Sequence, residues 1–133
     1  MILLDTHALI WLDQGNPRLG KNALKQIDEA LKQSHLYVAT ISYWEIAMLN
    51  KKRRIDMSMP VEIWRKSLLS NGLQEIELSA NIAIEAAQLE NFHGDPADRI
   101  ITATALATNA KLCTADLKIR EWKHKLSLLN ATD

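Results

Sequence analysis

The chain has 133 residues, 47% of them apolar and 24% charged, with 16 basic and 16 acidic side chains and a formal net charge of zero. That length suits one domain, residues 1–133, able to bury roughly two-thirds of the surface its unfolded form exposes. The neutral balance speaks against broad, sequence-independent nucleic-acid binding but leaves room for an acidic site offset by a basic rim. One cysteine, Cys113, excludes an internal disulfide and suits a reducing compartment, so a cytoplasmic location is expected; no run of about 18 uncharged apolar residues is there to span a membrane.

Met1–Leu4 reads as a short buried strand, cut off by Asp5 before it reaches the length of a signal peptide's apolar segment. Thr6–Leu12 reads as a helical turn or two, broken at Asn16-Pro17. Lys21–Gln33 is a helix whose apolar positions Leu24, Ile27 and Leu31 are spaced by three and four. Leu36–Ala39 is a second strand and Ser42–Lys52 a helix. Met59-Pro60 opens another helix, which Asn71-Gly72 stops after Ser70. Gln74–Leu78 alternates as a third strand. Ser79 caps a helix through Glu90, Asp95-Pro96 opens one through Asn109, Leu112–Thr114 is a fourth strand, and Leu126–Leu129 is a candidate fifth. Strands alternating with helices predict an α/β domain: a mainly parallel central sheet of four to five strands flanked by helices.

In open sheets of this class, ligands bind beyond the carboxyl ends of the strands. Four acids fall there: Asp5 directly after the first strand, Glu45 in the first turn after the second, Asp98 in the first turn of the Pro96 helix, and Asp116 two residues after the fourth strand. Each also has a local explanation. Asp5 and Asp116 suit N-caps, and Asp95 before Pro96 is a strong helix start. Ser42-Tyr43-Trp44-Glu45 has the form of a capping box, although Ile41, Met48 and Leu49 give Glu45 apolar helical neighbours. Two carboxylates about 5 Å apart repel by roughly 3 kcal/mol at an effective dielectric near 20, so several together must take up protons or bind a cation. An all-oxygen set suits Mg²⁺ or Mn²⁺ rather than zinc. His7, His35, His93 and His124 show no zinc spacing, and His7 and His93, near the acids in sequence, are expected to be structural or to support the ligands from behind. Arg99 either pairs with an acid, touches a phosphate or is simply solvated. Thr114 either orients a water or phosphate oxygen or satisfies local backbone. Lys51, Lys52, Arg53 and Arg54 form one basic run, either a phosphate-backbone contact or a solvated helix end. Trp11, Trp44, Trp64 and Trp122 are expected in the core or as interface anchors.

The segments Leu3-Leu4-Asp5-Thr6-His7-Ala8-Leu9-Ile10-Trp11-Leu12, Ser42-Tyr43-Trp44-Glu45-Ile46, His93-Gly94-Asp95-Pro96-Ala97-Asp98-Arg99 and Thr114-Ala115-Asp116 together resemble the PIN-domain family, in particular its VapC-type toxins. Residues 55–89 carry no diagnostic motif, and Asn91 and Ala97 stand roughly where members often have Pro and Phe. The resemblance implies a metal-dependent endoribonuclease, with Asp5, Glu45, Asp98 and Asp116 matching the family's metal-site acids, Asp95 a further recurring acid, and Thr6 and Thr114 polar positions near the site. It also implies a tRNA or rRNA target, a homodimer, and a cognate antitoxin that reaches the acidic pocket, often with an arginine. Two rival readings remain. A receiver-type phosphoryl acceptor needs a lysine after a late strand, where this chain has Thr114-Ala115-Asp116. A non-catalytic RNA- or protein-binding module would share the fold and acids without turnover.

Overall fold

The structure, a computed structural model, describes residues 1–122 and 124–133. In chain order its elements are β1 (Ile2–Leu4), α1 (Thr6–Gln14), α2 (Lys21–Lys32), β2 (Leu36–Ala39), α3 (Ile41–Lys51), α4 (Val61–Ser70), β3 (Gln74–Ile76), α5 (Ala80–Gln88), α6 (Pro96–Thr108), β4 (Lys111–Thr114), α7 (Leu117–Arg120) and β5 (Leu128–Asn130). The strands form one sheet in the order β3-β2-β1-β4-β5, and every pairing is parallel. The chain moves outward from β1 through β2 and β3, then resumes at β4 on the other side of β1. That reversal opens a crevice at the carboxyl ends of β1 and β4, where an open sheet accepts a ligand. In register, Leu4 faces Val38 on one side and Cys113 on the other, so Asp5 leaves the sheet at the mouth of the crevice.

The short strands hold because both faces of the sheet are covered. Side chains alternate: Ile2, Leu4, Leu36, Val38, Cys113 and Leu129 enter one core with Leu9, Ile27, Ile46 and Trp64. Leu3, Ala39 and Leu112 enter the other with Ile101, Ile119 and Phe92. Leu3, Leu4, Val38 and Leu112 are fully buried. Among the described residues no helix is long and apolar enough to cross a membrane.

The predicted elements are all present, with shifted ends. The first helix runs on to Gln14, where Gly15 turns left-handed (φ 61°) and returns its N–H to the last carbonyls. The third strand stops at Ile76, leaving Leu78 exposed. Leu24, one of the three apolar positions read in this helix, is 40% exposed; α2 buries Ala23, Ile27 and Ala30, a stripe whose small residues let the helix lie close to the sheet. Gly20 serves the same approach. It donates to the Ala131 carbonyl, and the Asp133 carbonyl accepts from Asn22 and Ala23, capping α2 where no side chain does. A Cβ at position 20 would collide with the Asp133 backbone.

Candidate active site

The acids converge because α1, α3 and α7 begin where β1, β2 and β4 end, and α6 begins beside them. Asp5, Asp95 and Asp116 are the N-caps of α1, α6 and α7. Asp5 Oδ1 accepts from Ala8 N (2.8 Å), Asp95 Oδ1 from Asp98 N (3.0 Å), and Asp116 Oδ1 from Lys118 N and Ile119 N (2.8 and 3.3 Å). The capping and ligand readings of these residues are therefore compatible. One oxygen anchors each carboxylate to a helix start, and all three residues line the same pocket. Asp98 lies in the first turn of α6. Glu45 reaches in from α3, half-buried. The capping box expected for Glu45 does not form: α3 starts one residue earlier, with Thr40 as its cap position and no side-chain cap, so Glu45 is left to the pocket. Asp5, Glu45, Asp95, Asp98 and Asp116 line one cavity of about 330 Å³, together with Thr6, His7, Trp11 and Ala115.

The cavity is short of positive charge: among the described residues, no lysine or arginine lines it. Asp5 is 6% exposed, and burial raises its pKa above the usual carboxylate range against the lowering effect of Thr114 and the Ala8 N–H. Asp98 is pushed up to about 7, first by burial and then by the charges of Asp95, Asp116, Glu45 and Asp5. Hydroxyls tie the acid-bearing segments together. Thr6 Oγ1 donates to Ser42 Oγ at 3.0 Å, joining α1 to the helix of Glu45. The Thr114 hydroxyl accepts from Asp116 N at 3.0 Å and lies near enough to Asp5 to lower its pKa.

His93 stands on the outer side of the cluster. A ring nitrogen of His93 and carboxylate oxygens of Asp98 and Asp116 lie within 4.8 Å of one another. Its Nδ1 accepts from Asp95 N at 3.3 Å, so the neutral ring carries its proton on Nε2. Nε2 is 3.2 Å from Asp98 Oδ2, but the angle is too poor for a hydrogen bond, and the atom is buried without a partner among the described residues. His93, expected to be structural or to support the ligands from behind, therefore stands in direct reach of Asp98 and Asp116.

Arg99 does none of the three things expected of it. It neither pairs with an acid, nor faces the pocket, nor is simply solvated. Its guanidinium donates to the carbonyls of Ala86, Ala87, Leu89, Phe92 and His93 at 2.8–3.2 Å, closing the end of α5 and fixing the loop that leads to His93 and Asp95. Lys51, Lys52, Arg53 and Arg54 are exposed at the far end of α3 and do not line the cavity. Ser42 and Trp11 went unread in the sequence as site residues. Trp11 was legible in principle, because His7 and Trp11 are four apart and share a helix face.

The donor set fits a divalent cation. Oxygens predominate, carboxylates are crowded, three of them are oriented by their caps, and among the described residues no lysine or arginine competes. Asp5, Glu45, Asp98 and Asp116 could share such an ion, and among the described residues it is Asp98, Asp116 and His93 whose ligand atoms already lie within 4.8 Å of one another.

The family model for the PIN domain matches residues 2–125. The chain is 35% identical over 124 residues to Ribonuclease VapC22 of Mycobacterium tuberculosis, covering 92% of each protein. Among solved structures it is similar to VapBC2 from Rickettsia felis bound to a DNA fragment from its promoter (TM-score 0.70, 20% identity, 98% of each chain). It is also similar to VapBC-1 from nontypeable Haemophilus influenzae (TM-score 0.67, 23% identity, all of both chains). These structural likenesses establish the fold.

Proposed function

The chain belongs to the PIN-domain family, and on that premise we propose that it is the endoribonuclease toxin of a toxin–antitoxin pair, hydrolysing phosphodiester bonds in RNA with a divalent cation held by Asp5, Glu45, Asp98 and Asp116. The observation that carries the reading is the convergence of these acids, with Asp95, in one cavity without a positive side chain among its described lining residues. The relative named as a ribonuclease supports RNA as the substrate class. The neighbours named as VapBC and FitAB complexes support an antitoxin as partner.

When bound, the cation supplies positive charge that makes water a usable nucleophile near neutral pH and offsets charge building on the phosphate. The side chains do the rest. Asp5 and Asp116 keep one oxygen on a helix start and line the pocket. The Asp5 N–H on the Cys113 carbonyl and the Asp116 N–H on the Thr114 hydroxyl hold the ends of β1 and β4 side by side. Thr6 and Ser42 lock Glu45's helix to α1. Asp95 fixes the first turn of α6 and so the position of Asp98, and the buried His93 ring stands against Asp98 with Nε2 3.2 Å from its carboxylate. Arg99 acts through the backbone it holds. In this reading residues 1–133 act as one domain in the cytoplasm, as a homodimer, on tRNA or rRNA, with Mg²⁺ or Mn²⁺; Lys51, Lys52, Arg53 and Arg54 contribute long-range attraction to RNA.

The test is cleavage of total tRNA and rRNA by purified, antitoxin-free protein with Mg²⁺, with Mn²⁺ and with EDTA, beside Asp5→Asn and Asp98→Asn. Discrete products that vanish with EDTA and in both variants are expected. A well-folded wild type that cuts nothing across many RNAs would instead favour a binding module, and cutting that survives both substitutions would put the site elsewhere.

A further inference from the structure

The sequence has four tryptophans, and the fold separates them. Trp64 is 4% exposed inside the core. Trp122 is buried, its indole N–H on the Glu90 carbonyl at 2.9 Å. Trp44 is 54% exposed but does not line the acidic cavity. Trp11 alone does. One part of its ring packs on the core, the rest is accessible, and His7 lies one helical turn before it on the same wall. The Arg18 guanidinium carbon is 6.0 Å from the Trp11 ring centroid, at the outer limit of a cation–π contact. A planar group thus already reaches this indole from solvent, and a positive charge stands at its rim.

An acidic floor repels a phosphate until a cation arrives, and even then the ion holds only the phosphate. The next rigid group on the strand is the base, tethered through one sugar, and an aromatic wall is the neighbour it meets. We propose that Trp11, with His7 beside it, is the stacking subsite for the unpaired nucleobase adjacent to the scissile phosphate. This deepens the ribonuclease reading and rests on it. Stacking on an indole tolerates any base, because each presents a π face. The subsite therefore selects single-stranded or flipped-out nucleotides rather than a base identity, and Arg18 attracts the backbone entering beside it.

The experiment uses a short single-stranded oligoribonucleotide containing a mapped cut, with two variants whose fold is checked by melting. Trp11→Leu keeps apolar bulk against the core but has no π face, and Trp11→Phe keeps a smaller one. Binding is read by anisotropy with Ca²⁺ in place of Mn²⁺, and KM and kcat with Mn²⁺. We expect Trp11→Leu to weaken binding and raise KM by roughly tenfold or more with little change in kcat, and Trp11→Phe to lose at most about threefold. An abasic site at the stacked nucleotide should cost the wild type the same factor and cost Trp11→Leu nothing more. Wild-type affinity in Trp11→Leu, or losses that multiply at every abasic position, would overturn the subsite. It would also fall if Trp11→Leu bound RNA normally and lost only inhibition by an antitoxin, which would assign the wall to a protein contact. The binding arm needs no turnover. A wild type that binds through Trp11 yet never cuts removes the nuclease reading and with it the link to a scissile phosphate, leaving Trp11 as a base-stacking site of a binding module, and one that binds no oligonucleotide overturns stacking itself.

Discussion

Within residues 93–99, adjacent side chains use charge in opposite ways. The Arg99 guanidinium is consumed by five backbone carbonyls and has little left to offer a ligand. One residue earlier, Asp98 shares its cavity with four other carboxylates and no lining cation among the described residues. Arg99 is what a structural ion looks like, with every donor matched by an acceptor the fold would otherwise leave unpaired. The acids are what a poised site looks like, with part of each cap's capacity spent on the backbone and the remainder facing its own like charge. Charge left unmatched at a cost to the fold is the better guide to chemistry than charge alone.

The contrast is broken most forcefully by exchanging the roles. Asp98→Asn should lower RNA cleavage at least about a hundredfold. It should also raise the metal-free melting temperature by about a few degrees, since it removes a charge that burial and four neighbours disfavour. An Asp98→Asn protein that melts lower than wild type in EDTA would mean that the cluster is not strained. Arg99→Ala should do the reverse, costing about 2–3 kcal/mol in urea denaturation because half-buried carbonyls lose a charged donor. Activity should fall only as far as the loop carrying His93 and Asp95 loosens. Arg99→Lys should recover less than half of the stability, because an ammonium has three donors and no planar fork. An Arg99→Ala chain as stable as wild type would show that water replaces the guanidinium freely.

The same stretch shows where sequence reading succeeds and where it stops. Asp95-Pro96 and Asp5-Thr6 announce helix starts through local chemistry, and the strands show themselves as brief apolar runs between turn signals. Asp5, Asp95 and Asp116 were therefore legible as caps, and the fold keeps them as caps while gathering them with Glu45 and Asp98 in one cavity. Arg99 was not legible, because its acceptors are backbone carbonyls from 86 to 93, and a carbonyl leaves no trace in residue type. Ser42 was misread for a related reason: its Ser-x-x-Glu spacing matches a local box, but the hydroxyl went to Thr6, 36 residues away. Leu24 and Ala23 both fit a helical stripe. The close approach at Gly20, set by Asp133 from the other end of the chain, goes with the smaller residue facing inward.

A milder test leaves the sequence intact. With Asp98 near 7 in the folded chain and about 4 when unfolded, the folded state holds a proton between these values that the unfolded state lacks. Metal-free stability should therefore rise as pH falls from about 8 to about 5 and be lost again as pH rises through 7. The raised Asp5 acts in the same direction. Glu75, whose carboxyl Arg65 holds down through a bidentate pair at 2.7 Å, opposes this only in acid, where protonating it removes stability. Chemical denaturation across this range in EDTA and in Mg²⁺ checks the sign. The cation favours the ionised carboxylates and should flatten the slope, and an EDTA profile that climbs from pH 5 to pH 8 would contradict the crowding.

The smallest effect is expected where charge is neither matched nor crowded. Lys51, Lys52, Arg53 and Arg54 are exposed, and Lys51 is six residues beyond Glu45 on the same helix, about 9 Å along its axis. At physiological salt that is roughly one Debye length, so on the proposed reading these cations are expected to attract RNA diffusely rather than hold it. Lys52→Gln with Arg54→Gln should raise KM about two- to threefold at low ionic strength, leave kcat alone and become silent near 0.3 M salt. Direct phosphate contacts would behave differently, since each one removed would flatten the log–log dependence of RNA affinity on salt by about 0.7. A flattening of about 1.4 in the double variant would bring the basic run into the substrate track and extend the site well past the acids.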